Sequence, residues 1–303
     1  MNAKLHSEVL AQIKNLDSIS TAPAILMPLL DMLRLPTDKI RIEKVVELVS
    51  YDGSMAAQCL RLANSPLFGR RQTETVRSAV MALGLERIRS LLLGLCVHRV
   101  IPKDKWVMEP DAFWRHSLGC ALVTQKMAQK IEYPEPEKAY LAGLLHDLGF
   151  LVNSILFTDA FRECLRLAAE QHVPLHVVEA QILGFTHCET GQMLCEHWRL
   201  SKELADAAGC HHDASLLPDA GPLACLVHLS DLLCRVRYLN YGYDEIIGVD
   251  LGDDAAWQLL VASYPALENM DLVRLTLDID GAMDQIVATV DSIFGAKQSA
   301  VPA

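Results

Sequence analysis

Apolar residues recur three and four positions apart along nearly the whole chain, as in Val45, Val46, Leu48 and Val49, or Leu118, Leu122 and Met127. That spacing places them on one face of a helix, and the strict alternation of a half-buried strand is nearly absent. Breakers then limit helix length. Pro23, Pro28, Pro36, Gly53, Pro66, Gly69, Gly84, Pro134, Pro136, Gly149, Pro174, Gly184, Pro218 and Pro222 leave intervals of mostly about 10–20 residues. The expected fold is an all-α, two-lobed helical bundle with short connections. A boundary falls near residues 100–111, where Ile101-Pro102-Lys103-Asp104-Lys105 and Glu109-Pro110 interrupt the pattern. It separates an N-terminal lobe over 1–105 from a second lobe over 106–240. A helical extension over 241–303 follows, with a disordered polar tail from near Lys297. Tyr, Gly and Asp accumulate at 238–254, which reads as a loop over the second lobe.

Half of the 303 residues are apolar and 21% are charged, enough to bury a core and far from the composition of disorder. The net charge of −11 opposes general binding to nucleic acid. Against that field, Arg61, Arg70, Arg71, Arg77, Arg87, Arg89 and Arg99 gather in one stretch. It is either an ordinary solvated face or a surface for an anion or partner. The nine cysteines stand singly with no CxxC pair, which suggests neither a disulfide framework nor a thiolate zinc site. Met1–Leu16 lacks the apolar core and cleavage site of an export signal. No apolar run reaches the roughly 18–20 residues of a membrane span. The expectation is a cytoplasmic protein without a membrane partner.

Five of the eleven histidines and two aspartates form an ordered series: His116, His146-Asp147, His187, His211-His212 and Asp231. Imidazole and carboxylate together suit borderline and hard divalent ions such as iron, manganese, zinc or nickel, and helical bundles assemble such ligands from several helices. His146-Asp147 closes the apolar segment Ala142-Gly143-Leu144-Leu145 and precedes Leu148-Gly149, so a helix stops just after presenting two adjacent ligands. The expected cofactor is one or two such ions, with Asp147 able to bridge them. A single histidine on a helix is more often a packed residue than a ligand, so the weight rests on the joint occurrence. His6, His98, His172, His176, His197 and His228 are read as structural; His228 lies three residues before Asp231 on the same helix face.

From about Ile19 to Leu239 the chain resembles the HDOD family, HD-related output domains of bacterial signalling proteins. The resemblance rests on Arg61-Leu62-Ala63-Asn64-Ser65 with Gly69, Ala79-Val80-Met81-Ala82-Leu83-Gly84, and Phe113-Trp114-Arg115-His116-Ser117. It continues through Ala142-Gly143-Leu144-Leu145-His146-Asp147-Leu148-Gly149, Glu179, Leu183-Gly184, His187, Gly191, Trp198 and His211-His212. It implies a C-terminal lobe similar to the HD-domain core. The minimal site of the HD phosphohydrolases maps to His116, His146, Asp147 and Asp231, and the second site of the binuclear relatives to His187, His211 and His212. Arg115 and Glu179 are candidates for contacts behind the ligands or to a bound anion. Two departures weaken hydrolysis: Phe150 stands where the HD-GYP phosphodiesterases carry lysine, and the segment after His212 lacks the GYP signature.

Two functions follow from the resemblance. The first is a signalling or regulatory domain that binds a signalling protein or small nucleotide, with metal as clamp or sensor. Any input would arrive through a separate protein or a ligand, since no receiver domain precedes the first lobe. The alternative is a metal-dependent phosphohydrolase or phosphodiesterase acting on a nucleotide or cyclic dinucleotide, with Asp147 as the catalytic candidate.

Overall fold

The computed structural model describes residues 3–16, 31–32, 35, 39–50, 53–69, 72–85, 87–88, 92, 105–213, 215–241, 250–264, 267 and 272–294, with side chains at all of these except 3–6, 14–16, 54 and 272–277. Among the described residues every regular element is helical.

The N-terminal part of the chain contains α1 (Ala3–Leu16), α2 (Ile42–Ser50), α3 (Gly53–Ala63) and α4 (Val76–Leu83). α2, α3 and α4 pack together over Val45, Val49, Met55, Cys59, Leu62 and Val80, all buried. The turn after Arg61-Leu62-Ala63-Asn64-Ser65 is held by Asn64, whose amide donates to the Thr73 carbonyl at 2.8 Å and accepts from the Thr73 N–H at 2.7 Å. Thr75 then caps α4 by accepting from the Ser78 N–H.

The second lobe is built around α5 (Pro110–Lys130), about 31 Å long at 1.5 Å per residue. Every residue of α5 from Phe113 to Gln125 is buried, because neighbours lie on all sides. α6 (Pro136–Leu145), α13 (Pro222–Val236) and α15 (Leu272–Phe294) all pack against it. Around this axis run α7 (Leu148–Leu156), α8 (Thr158–Gln171), α9 (Leu175–Ile182), α10 (His187–His197), α11 (Lys202–Cys210), α12 (Leu217–Ala220) and α14 (Ala255–Ser263). α7 lies along α10, α10 along α11, and α11 along α13.

The C-terminal extension is part of this packing. α14 lies on α13, while α15 touches both α5 and α3 and buries Met283, Ile286 and Val290. The tail from Lys297 lies outside the described residues. α1 also crosses over, packing on α10 with Val9 and Ile13 buried.

One expectation is corrected here. Pro136–Leu156 is, by length and composition, long and apolar enough to cross a membrane, at 21 residues with a window hydropathy of 1.4, but 89% of that window is buried inside the protein. It is the core pair α6–α7, broken at His146-Asp147. The arginine stretch does not form one face among its described members. Arg61 and Arg77 are exposed, and Arg77 lies 3.5 Å from Glu43. Arg87 instead ties the lobes together, donating to the Leu83 carbonyl, Gln125 and Glu137 at 2.8–3.1 Å while lying over Phe68. Arg70, Arg71, Arg89 and Arg99 lie outside the described residues.

Candidate metal centre

The break between α6 and α7 positions the centre. His146 ends the first helix and Asp147, at φ −98° and ψ 19°, starts the second, so both side chains turn into the lobe. His116 arrives from α5, His187 from the first residue of α10, His211 and His212 from the end of α11, and Asp231 from α13. All seven predicted residues are brought together. His116, His146, Asp147, His187 and His211 have no measurable exposure and Asp231 is 1% exposed.

Four imidazoles are held the same way. A carbonyl can only accept, so Nδ1 is the protonated nitrogen of His116 against Leu239 (2.6 Å), of His146 against Gly143 (2.8 Å) and of His211 against Ala208 (2.8 Å). His187 Nδ1 lies 2.6 Å from Glu179, which also accepts from the His187 N–H (3.0 Å) and from Asn153 (3.0 Å). Each ring therefore points Nε2 inward, as ligating histidines do when a carbonyl or carboxylate holds the far nitrogen.

The four Nε2 atoms converge on Asp147. Oδ2 lies 3.3 Å from His116 and 3.0 Å from His146, while Oδ1 lies 3.4 Å from His187 and 3.3 Å from His211. Asp231 lies 3.3 Å from His116 and 3.5 Å from His212, with Arg235 at 2.8 Å. His187 Nε2 and Asp147 Oδ1 nevertheless form no hydrogen bond, nor does Asp231 Oδ1. A buried polar atom left this way costs about 1–3 kcal/mol. A divalent cation satisfies such lone pairs, and the donor set fits one.

The electrostatics agree with that fit. Burial alone would lower His116, but Asp147 and Asp231 raise it to about 10. His211 rises to about 10 against the same burial, through Cys188 and Asp147. His187 is also raised, chiefly by Glu179 against its burial. Asp147 is held well below the usual carboxylate range despite burial, by the charge of His146 and by the His116 and His211 rings that face it. Burial pushes His146 down, and it pushes His212 down with help from His211 and His176. Without a cation, protons occupy Nε2 positions that face anionic oxygens. Loading at pH 7 should therefore release protons, and affinity should rise with pH. Proton release measured with an indicator dye in weak buffer checks this; zero release would contradict the assigned charges.

Several contributors were not predicted. Tyr241 donates its hydroxyl to Asp147 Oδ2 and lies against His116 and Phe150 at centroid distances of 4.7 Å. His176, read as structural, stacks on His212 at 4.5 Å. Cys188 and Cys120 stand among the donors although the sequence suggested no thiolate site, Cys188 lowered to about 6 by His211 and His187 against its burial, Cys120 raised well above its ordinary value by burial and Cys234. Arg115 pairs with Asp291 on α15. Glu179 is the carboxylate behind His187. His228 stays out of the donor set, bonding the His211 carbonyl at 2.6 Å and Asp254 at 3.2 Å.

α10 delivers its ligand through a capping box: Thr186 accepts from the Glu189 N–H, and Glu189 accepts from the Thr186 N–H at 2.8 Å. Thr186→Ala should cost about 1 kcal/mol. A lower urea midpoint at unchanged slope is the expected result; an unshifted midpoint would mean packing alone fixes the start of α10.

The sequence matches the HDOD domain over residues 19–214, about two thirds of the chain. This protein belongs to the HDOD family. Its fold is similar to that of a Geobacter sulfurreducens HDOD domain protein with unknown function, 25% identical with a TM-score of 0.75 and covering 95% of this chain and 98% of that one. A Shewanella amazonensis SB2B protein described as a candidate phosphohydrolase is 20% identical with a TM-score of 0.69, covering 95% and 99%. A Treponema pallidum (strain Nichols) protein, uncharacterised, is 26% identical over 244 residues. The match takes in 76% of the HDOD chain but only 45% of that relative's length.

Proposed function

We propose that this HDOD chain is a cytoplasmic signal-transduction protein whose second lobe binds one or two divalent transition-metal ions, and that the loaded lobe presents a surface to a signalling protein or small nucleotide. The observation that carries the reading is the convergence of four Nε2 atoms on the two oxygens of Asp147, buried beneath Tyr241. Iron, manganese, nickel and zinc all suit such donors. Phe150 supports regulation over hydrolysis. It is buried among Phe113, Phe161, His187 and Tyr241, so apolar surface stands where hydrolytic relatives place a cation. Tyr241 keeps solvent from Asp147 Oδ2, and the Asp147 carboxylate keeps the two groups of histidines in register.

A second reading, metal-dependent phosphohydrolysis, is favoured by the two-sided position of Asp147 and by the description of the Shewanella relative. In that case bound metal would supply the charge that polarises a phosphoryl oxygen, while His116, His146 and Asp147 hold one side and His187 and His211 the other.

Elemental analysis of untagged protein, prepared anaerobically with metal supplied, tests both. About one to two equivalents, reduced in His146→Ala and without turnover of phosphodiesters, is the expected result. No metal would overturn the proposal; metal-dependent turnover would move it to hydrolysis.

A further inference from the structure

Eight described cysteines are buried, and most sit in apolar surroundings. Cys188 differs. It follows His187 in the first turn of α10, is 5% exposed, and its Sγ lies 3.8 Å from His211 Nε2. The donor atoms of His187, Cys188, His211 and His212 all lie within 4.8 Å of one another. Ligands of a tetrahedral ion bound at about 2.0–2.3 Å stand roughly 3.3–3.8 Å apart, so the widest donor pairs must close by about 1 Å. His187 Nε2, fully buried and without a hydrogen bond, is aimed into the same space.

The geometry points to Cys188 as a thiolate ligand, which gives this half of the centre three imidazoles and one thiolate beside Asp147 Oδ1. The inference rests on the metal-binding reading above and goes further by separating two unlike halves. His116, His146, Asp147 and Asp231 offer imidazole and carboxylate, suited to harder ions. The Cys188 half selects a borderline or soft ion such as zinc, cobalt(II) or iron(II) over magnesium or calcium. Coordination forms one sulfur–metal bond from the thiolate, any remaining thiol proton passing to the buffer; no electron is transferred.

Cys120 provides the contrast. Its Sγ lies 3.5 Å from His116 Nε2, but that half already holds Asp231 within its donor group and Asp147 Oδ2 alongside. Added thiolate charge there would face two carboxylates. In the half around Cys188, Asp147 Oδ1 faces His187 and His211, Glu179 is engaged behind His187, and Asp231, 3.5 Å from His212, is paired with Arg235 at 2.8 Å.

The test titrates cobalt(II) into the full, metal-stripped chain without oxygen, following absorption and bound cobalt together. Wild type should develop an intense near-ultraviolet thiolate-to-cobalt charge-transfer band. Cys120→Ser should keep it, and Cys188→Ser should lose it while retaining cobalt in the His116 half. Should Cys188→Ser fail to fold, wild type alone decides: cobalt uptake without the band overturns the assignment and leaves the metal reading standing. Retention of the band in a folded Cys188→Ser protein overturns it equally. Absence of cobalt uptake overturns both.

Discussion

Asp147→Ala should strip metal from both halves of the centre, whereas His146→Ala should spare the half formed by His187, Cys188, His211 and His212. The difference follows from where the two side chains stand. His146 offers a single Nε2 atom, 3.0 Å from Asp147 Oδ2. Asp147 has two oxygens that face different pairs of histidines, all four Nε2 atoms lying between 3.0 and 3.4 Å away. Alanine removes the carboxylate that faces all four of these imidazoles, whereas Asp231 reaches only His116 and His212 and is paired with Arg235. Contacts behind a ligand are worth about 10–100-fold in metal affinity, so loss of the shared ligand should exceed that range. Metal content after dialysis, measured beside circular dichroism, reads the effect. Full metal content in folded Asp147→Ala would refute the shared-carboxylate arrangement.

The path from sequence to centre was legible wherever helical geometry alone decides. The His and Asp series could be placed at helix starts and ends because breakers and caps mark those positions: His187 does open α10, and His146-Asp147 does close α6. The failures have physical causes too. Arg115 pairs with Asp291, a residue 176 positions away whose approach no local spacing announces. Cys120 lies one turn beyond His116 and Cys188 next to His187, so both thiols carried a positional signal. Cysteine is so often an ordinary core residue that spacing alone gave it no weight. Tyr241 had no such signal. It reaches Asp147 across 94 positions from the end of the turn after α13, a contact set by tertiary packing. His176 meets His212 for the same reason, through the placement of α9 beside the end of α11.

Gly149→Ala should cost about 3 kcal/mol, the upper end of overpacking penalties, because the obstruction is backbone. A Cβ at Gly149 would stand 1.8 Å from the His187 carbonyl oxygen and 2.6 Å from the Gly191 nitrogen. A flexible side chain could rotate aside, but here α7 and α10 themselves must separate. The glycine of His146-Asp147-Leu148-Gly149 is thus where the helix behind Asp147 touches the helix carrying His187. Separating them should also carry His187 away from Asp147 Oδ1, 3.4 Å distant in the native packing, so metal content in the His187 half should fall along with stability. Two other glycines calibrate the claim. Gly191→Ala meets the Gly149 nitrogen only at 3.1 Å, and its cost should be smaller. Gly281→Ala, exposed on α15 with nothing within 4 Å, should stabilise by up to about 1 kcal/mol through helix propensity. Urea denaturation with metal analysis measures all three. A Gly149→Ala protein as stable and as fully loaded as wild type would mean that α7 and α10 do not approach this closely, and the geometry of the centre would have to be redrawn from that contact outward.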